Sequence, residues 1–212
     1  MEIYNTEEQQ VEAIKRFWKQ NGVSIIAGVV IGLAGLYGFR YYQAQQLQAV
    51  EAQSAQYAAL VDKVADEKAD KAVWLVEAQS FIEGNPGSSY SVLTALLAAK
   101  EAALAKNYPV AEKQLAWVVA NTKEQEIIAI ATIRLARVQA EQSNFDAAIA
   151  TLNAVLPASF NAQQQELKGD VLLKSGDEVK AKSAYQAALA AAAEGKNPLL
   201  QVKLNELAHV AG

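Results

Sequence analysis

"NFDAAIATL", residues 144–152, decides how most of this chain is built. It opens on an asparagine, a good N-cap because its side-chain oxygen accepts a bond from a first-turn N–H. A small residue follows at Ala148 and a large apolar one at Leu152. The same layout recurs in "NYPVAEKQL" from Asn107, with Ala111 and Leu115, and in "DEVKAKSAY" from Asp177, with Ala181 and Tyr185. The three alanines are 37 and 33 residues apart, and twelve positions before each stands another small residue: Ala99, Ala136 and Gly169. Two helices joined by a tight turn cross closely where both carry small side chains. The spacing therefore predicts three helical hairpins, with Leu115, Leu152 and Tyr185 filling the adjacent grooves.

A period near 34 residues with this pattern resembles the tetratricopeptide repeat. The large residue that the repeat has near the start of its first helix is replaced here by Ala95, Thr132 and Gln165. Outward from the repeats, the sequence after Tyr42 is rich in alanine, glutamine, leucine and lysine and shows no strand alternation. Pro86, Pro109, Pro157 and Pro198 fall at breaks between apolar-periodic runs, as do Gly84, Gly87, Gly176 and Gly195. Helices are expected over residues 44–65, 70–83, 88–106, 110–121, 125–142, 145–156, 161–175, 178–194 and 198–210. The expected fold is all-α: a single N-terminal transmembrane helix followed by a tetratricopeptide-repeat-like solenoid of helical hairpins. Residues 44–83 would form an atypical first hairpin and 198–210 would cap the far end.

The transmembrane assignment rests on "VSIIAGVVIGLAGLYGF", residues 23–39, which are 17 residues without a charge. Phe17 and Trp18 precede the run and Tyr37, Tyr41 and Tyr42 end it, where amphipathic rings favour the headgroup level. On a helix Trp18 and Tyr41 would lie roughly 35 Å apart, enough to set both rings in the interfaces that flank a hydrocarbon core of about 30 Å. A cleaved signal peptide is disfavoured because "FRYYQAQQLQA" offers no good small-residue cleavage site. A buried core helix is disfavoured because Lys15, Arg16, Lys19 and Arg40 bracket the run. The chain thus divides into a short cytoplasmic amphipathic segment 1–22, an anchor 23–42 and an exported helical domain 43–212. The basic residues set that orientation, since three stand before the anchor and Arg40 alone follows before Lys63.

Gly28, Gly32 and Gly35 fall at i, i+4 and i+7, one face of the anchor, and Gly28-x-x-x-Gly32 is the spacing that lets helix backbones approach closely in lipid. They are candidates for packing against a partner's membrane helix; the general enrichment of glycine in membrane helices is the competing reading. In "EEQQVEAIKRFWKQN", residues 7–21, Val11, Ile14, Phe17 and Trp18 recur at helical spacing, so a helix lying on the inner leaflet and a plain extension of the anchor both remain open.

The 212 residues are 52% hydrophobic and 20% charged, enough apolar surface for a core, and the net charge of −4 carries no basic stripe for nucleic acid. Without cysteine there is no disulfide, thiolate nucleophile or thiolate-held metal, and His209 is the only histidine. "EGNPGSS" at 83–89 lacks the lysine of a phosphate loop and reads as a turn; Asp66 and Asp70 among Lys63, Lys68 and Lys71 read as a solvated face. No catalytic residue, cofactor site or metal site is expected. Binding is the expected work of a helical solenoid, with Tyr90, Tyr108, Trp117, Phe145 and Tyr185 as candidates that also suit core packing.

"MEIYNTEEQQVEAIKRFWKQNG" at 1–22, "IRLARVQAE" at 133–141 and "LKGDVLLKSGDEVKAKSAYQAAL" at 167–189 resemble the bacterial family of ancillary SecYEG translocon subunits. The resemblance implies a single-pass inner-membrane protein whose tetratricopeptide-like domain is periplasmic. It further implies association with the SecYEG channel, with the membrane-anchored periplasmic chaperone PpiD and with emerging secretory proteins. It also implies an alternative role, restraint of an envelope-stress response regulator through the cytoplasmic segment.

Overall fold

The computed structural model describes residues 7–192 and 197–210. Residues 1–6 of the expected N-terminal segment, the end of the expected helix 178–194 and Gly195 lie outside the described residues. The chain divides into two units, Met1–Ala52 and Gln53–Gly212.

The first unit is a stretch of helix α1 (Glu7–Ala65). The sequence reading began a separate helix at residue 44, whereas α1 runs without interruption from Glu7. No proline occurs before Pro86 to stop it. Beyond the apolar run, Gln45 Nε2 donates to the Tyr41 hydroxyl at 2.9 Å and Gln46 Nε2 to the Tyr42 hydroxyl at 3.2 Å. Such i, i+4 pairs support an exposed helix on their own. Among the described residues, α1 is long and apolar enough to cross a membrane. Its aliphatic side chains from Val23 to Leu36 stand exposed.

The second unit holds residues 53–65 of α1 and eight further helices: α2 (Lys71–Gly84), α3 (Ser89–Leu104), α4 (Tyr108–Asn121), α5 (Gln125–Glu141), α6 (Phe145–Thr151), α7 (Asn161–Lys174), α8 (Glu178–Ala191) and α9 (Pro198–Glu206). The described residues contain no strand. The pairs α3–α4, α5–α6 and α7–α8 are hairpins closed by one recurring turn. Asn107, Asn144 and Asp177 donate their N–H groups to the carbonyls of Ala102, Gln139 and Leu172, at 2.8, 2.9 and 2.9 Å. The residue before each donates to the carbonyl three positions back, at 3.0 Å in all three turns. This is a Schellman closure, which needs a left-handed residue at its fifth position. Lys106 (φ 58°), Ser143 (φ 60°) and Gly176 (φ 89°) occupy it.

Only Gly176 takes that conformation freely; a side chain there costs about 1–2 kcal/mol. Lys106→Gly and Ser143→Gly should therefore each raise stability by about 0.5–1 kcal/mol after the larger entropy of the unfolded glycine is subtracted. Equilibrium denaturation of the single variants checks this, and a loss of stability in both would refute it.

The Asn107 and Asp177 side chains cap α4 and α8 as expected, accepting from Val110 and Lys180 N–H. Asn144 does not cap α6 through its side chain. Its backbone (φ −88°, ψ 68°) nevertheless matches that of Asn107 (φ −85°, ψ 68°), so the backbone closure alone sets the turn. A second difference lies at the other end of α6, which stops at Thr151 rather than 156. The buried amide of Gln164 donates to the carbonyls of Leu152 and Ala154, both at 2.8 Å, and so takes the place of the next helical donors. The chain then turns, burying Leu156 beside Leu167 and Val171, before a short 3-10 helix (Ala158–Phe160) leads into α7.

Small residues form much of the core. On α3, Ala95, Ala98, Ala99 and Ala102 are buried while Leu93 and Leu104 stand out to solvent. Close helix crossing accounts for this, because small side chains let backbones approach and the bulky ones are left at the margins. At the N-terminal end of the unit, the buried Trp74 donates its indole N–H to the Leu60 carbonyl at 2.8 Å. Lys71 adds a cap by donating to the carbonyls of Val64 and Asp66. At the other end, Leu200, Leu207 and Val210 pack in one cluster with Tyr185, Ala184 and Ala188 of α8.

Candidate functional site

Each hairpin brings its three expected packing residues together. Ala99, Ala111 and Leu115 share one buried cluster, and Ala136, Ala148 and Leu152 share a second. In the third, Ala181 and Tyr185 are buried together, and a Cβ built on Gly169 would lie 2.4 Å from two ring carbons of Tyr185. Of the positions where the repeat has a large residue, Ala95 and Thr132 are buried and Gln165 is half-buried. On α1, none of the described residues comes within 4 Å of a Cβ built on Gly28, Gly32 or Gly35, so their face of the helix is open in the first unit.

The helical unit carries a groove of about 700 Å³ bounded by the end of α1, by α3, by the start of α4 and by α5. Tyr57 and Val61 border it from α1 and Tyr108 from α4. From α3 come Leu93, Leu97, Lys100 and Leu104, at i, i+4, i+7 and i+11, and from α5 come Arg134, Arg137 and Glu141. Arg137 and Glu141 also border a neighbouring recess of about 300 Å³ that continues onto α7. The charges are unequal: Glu141 pairs with Lys174 at 2.7 Å, while among the described residues neither arginine has an ion-pair partner. An open, apolar groove with a cationic side is suited to holding part of another molecule.

Of the aromatic candidates, Tyr108 borders this groove. Tyr90 packs on Tyr57 with ring centroids 5.4 Å apart, Trp117 and Phe145 lean on the core, and Tyr185 is buried. The leucine row and the two arginines were not singled out from the sequence. Their signal was the run of alanines on α3, which occupies the core face and leaves the leucines for another one.

Around Tyr185 the helices α7, α8 and α9 are joined by polar contacts. The Tyr185 hydroxyl donates to Asp170 Oδ1 at 2.8 Å, and Lys203 Nζ donates to Asp170 at 2.7 Å and to Glu166 at 2.8 Å. Burial pushes the Tyr185 hydroxyl far above the ordinary tyrosine range, helped by its bond to Asp170 and by the charges of Asp170, Glu166 and Glu206. Burial opposes the charge on Lys203, but its bonds to Asp170 and Glu166 outweigh it and raise the ammonium above the ordinary lysine value. Both groups are protonated in the fold, so their contribution is complete below the unfolded values of 10.0 and 10.5 and is lost as pH rises through the folded ones. The melting temperature should hold between about pH 7 and 9 and fall above about pH 10, and Tyr185→Phe should make that fall shallower. Thermal scans in alkaline buffers check it; an equal fall in the variant would refute the role of the tyrosine.

His209 is exposed, 3.4 Å from Glu178 and with Nδ1 3.1 Å from the Glu206 carbonyl. Among the described residues no group of three or more His, Cys, Asp or Glu side chains is placed to hold a metal ion.

The model of the tetratricopeptide repeat-like domain family matches residues 15–209. An ancillary SecYEG translocon subunit of Haemophilus influenzae is 33% identical over 95% of this chain and 97% of its own length. Proteins of the same name are 35% identical in Aggregatibacter actinomycetemcomitans, over 95% of this chain and 97% of their own, and 32% identical in Escherichia coli, over 98% and 99%. No solved structure matches the chain. With nearly full-length agreement on both sides of each comparison, the chain belongs to the family of ancillary SecYEG translocon subunits, built on a tetratricopeptide repeat-like domain.

Proposed function

We propose that this protein is a non-catalytic, single-pass subunit that accompanies the SecYEG translocon in the inner membrane and offers its helical domain to periplasmic partners. The observation that carries the reading is the near full-length likeness to relatives bearing that name. The exposed apolar stretch of α1 supports an anchor over residues 23–42. Lys15, Arg16 and Lys19 ahead of it support a cytoplasmic N-terminus and a periplasmic domain. The open face of Gly28, Gly32 and Gly35 suits close packing against a membrane helix of the channel. The helical domain would then link the channel to a PpiD-like chaperone and to emerging secretory proteins.

Affinity purification from gently solubilised native membranes tests this. SecYEG and a PpiD-like chaperone should be recovered with the unmodified chain and sharply depleted with Gly28→Leu/Gly32→Leu. Absence of both from both samples would remove the translocon assignment, and equal recovery would remove the role of the glycines. Deleting residues 2–19 while replacing the basic flank separates the regulatory alternative: an altered stress response with SecYEG recovery intact would give the N-terminal segment its own task. Orientation is read by placing one cysteine in the helical domain and labelling intact spheroplasts with an impermeant maleimide. Labelling only after lysis would reverse the topology.

A further inference from the structure

The groove between the end of α1, α3 and α5 narrows the kind of partner the domain can hold. Three properties matter. First, none of its bordering residues is an asparagine or glutamine, and among the described residues there is no sheet edge. An extended ligand leaves its N–H groups to be satisfied by the site, where only the Tyr57 and Tyr108 hydroxyls and Glu141, already held by Lys174, could accept, whereas a helix satisfies its own groups internally. Second, α3 presents Leu93, Leu97, Lys100 and Leu104 as one ridge at i, i+4, i+7 and i+11, spanning roughly 16 Å, or about three helical turns. Helices pack by setting such ridges into the grooves of a neighbour. Third, the charge is one-sided. Glu141 is neutralised by Lys174, while Arg134 and Arg137, exposed one turn apart on α5, have no ion-pair partner among the described residues of a chain that is net acidic.

We propose that this groove receives one face of an amphipathic, acidic α-helix from another polypeptide, its apolar side chains on the leucine ridge and its carboxylates on Arg134 and Arg137. The proposal rests on reading the helical domain as a binding surface, and it makes that surface selective. An emerging extended segment would find apolar contact here but few acceptors for its backbone N–H groups.

The test uses the full chain in lipid nanodiscs and a fluorescent peptide of about 16 residues, roughly 24 Å as a helix. The peptide carries leucine at i, i+4, i+7 and i+11 and glutamate beside them. One copy has two central prolines and another has lysine for each glutamate; empty nanodiscs are the blank. Anisotropy should report binding of the glutamate peptide to the protein above the blank, with the proline copy weakened by about tenfold or more because the helix is broken. Arg134→Glu/Arg137→Glu, at two exposed positions, should keep its melting temperature, lose roughly tenfold in affinity for the glutamate peptide and gain affinity for the lysine copy. Equal binding of the proline copy would make the occupant extended and overturn the proposal. So would an unchanged affinity after charge reversal, or binding no greater than to empty nanodiscs. SecYEG recovery from native membranes keeps the two readings apart: a failed peptide experiment with SecYEG recovered removes the helical occupant alone, and peptide binding without SecYEG removes the translocon assignment alone.

Discussion

Gly169→Ala should destabilise the helical domain by about 2–3 kcal/mol, a fall of roughly 6–10 °C in melting temperature. An alanine inside a helix ordinarily gains about 1 kcal/mol over glycine, so the sign is not decided by helix propensity. It is decided by the neighbour. The new methyl group would sit 2.4 Å from Tyr185 Cδ1 and Cε1, well inside contact distance. That ring cannot yield easily: Tyr185 is 1% exposed, and its hydroxyl is tied to Asp170 at 2.8 Å. Moving the ring would break a bond shared with Lys203 and disturb the seat of α9. Pairing the change with Tyr185→Leu removes the obstacle, so the double variant should be more stable than the sum of the two single losses by about 1–3 kcal/mol. Thermal circular dichroism of the four proteins reads the cycle. A Gly169→Ala chain as stable as the parent would show that α7 and α8 do not need their close approach.

The second large effect is expected at the other end of the solenoid. Trp74→Ala removes the largest fully buried side chain of the domain and should cost about 3–5 kcal/mol. Part of that loss is polar, because the Leu60 carbonyl that accepts the indole N–H would be left without its partner. Trp74→Phe separates the two contributions and should cost about half as much. The consequence reaches function, since Leu60 lies one residue from Val61 and three from Tyr57, which border the groove. With Trp74 gone, this part of α1 loses its seat among Ala78, Phe81 and Ala98, and the groove loses one side. Binding at the groove should then fail in Trp74→Ala at temperatures where the rest of the domain is still folded. Retained binding there would mean that α1 contributes nothing to the surface.

The hairpins were legible because their requirement is steric and local: a small residue at the crossing, a large one a turn later and a polar cap at the start. Those letters are plain at Ala111, Ala148 and Ala181. The turns themselves were only partly legible. Gly176 announces a left-handed residue, whereas Lys106 and Ser143 adopt the same conformation without a signal, since backbone hydrogen bonds rather than side-chain preference hold them there. The length of α6 was not legible either, because what ends it is the amide of Gln164, ten or more residues away in sequence. The groove was hidden for a different reason. Leucines at helical spacing are normally assigned to the core, and only the structure reveals that alanines take that place on α3 and release Leu93 and Leu104 for other contacts, with Leu97 half-buried between them.

The early end of α6 also leaves a seam in the stack. Val155 is 98% exposed between a carbonyl held by Gln164 and a leucine buried below it, so the chain there is pinned on both sides but covered by nothing. A few added residues at that point would loop outward without touching either neighbouring cluster. For anyone wishing to attach a fluorophore or an epitope inside the solenoid while leaving both of its ends and its groove untouched, the bond after Val155 is the natural insertion point.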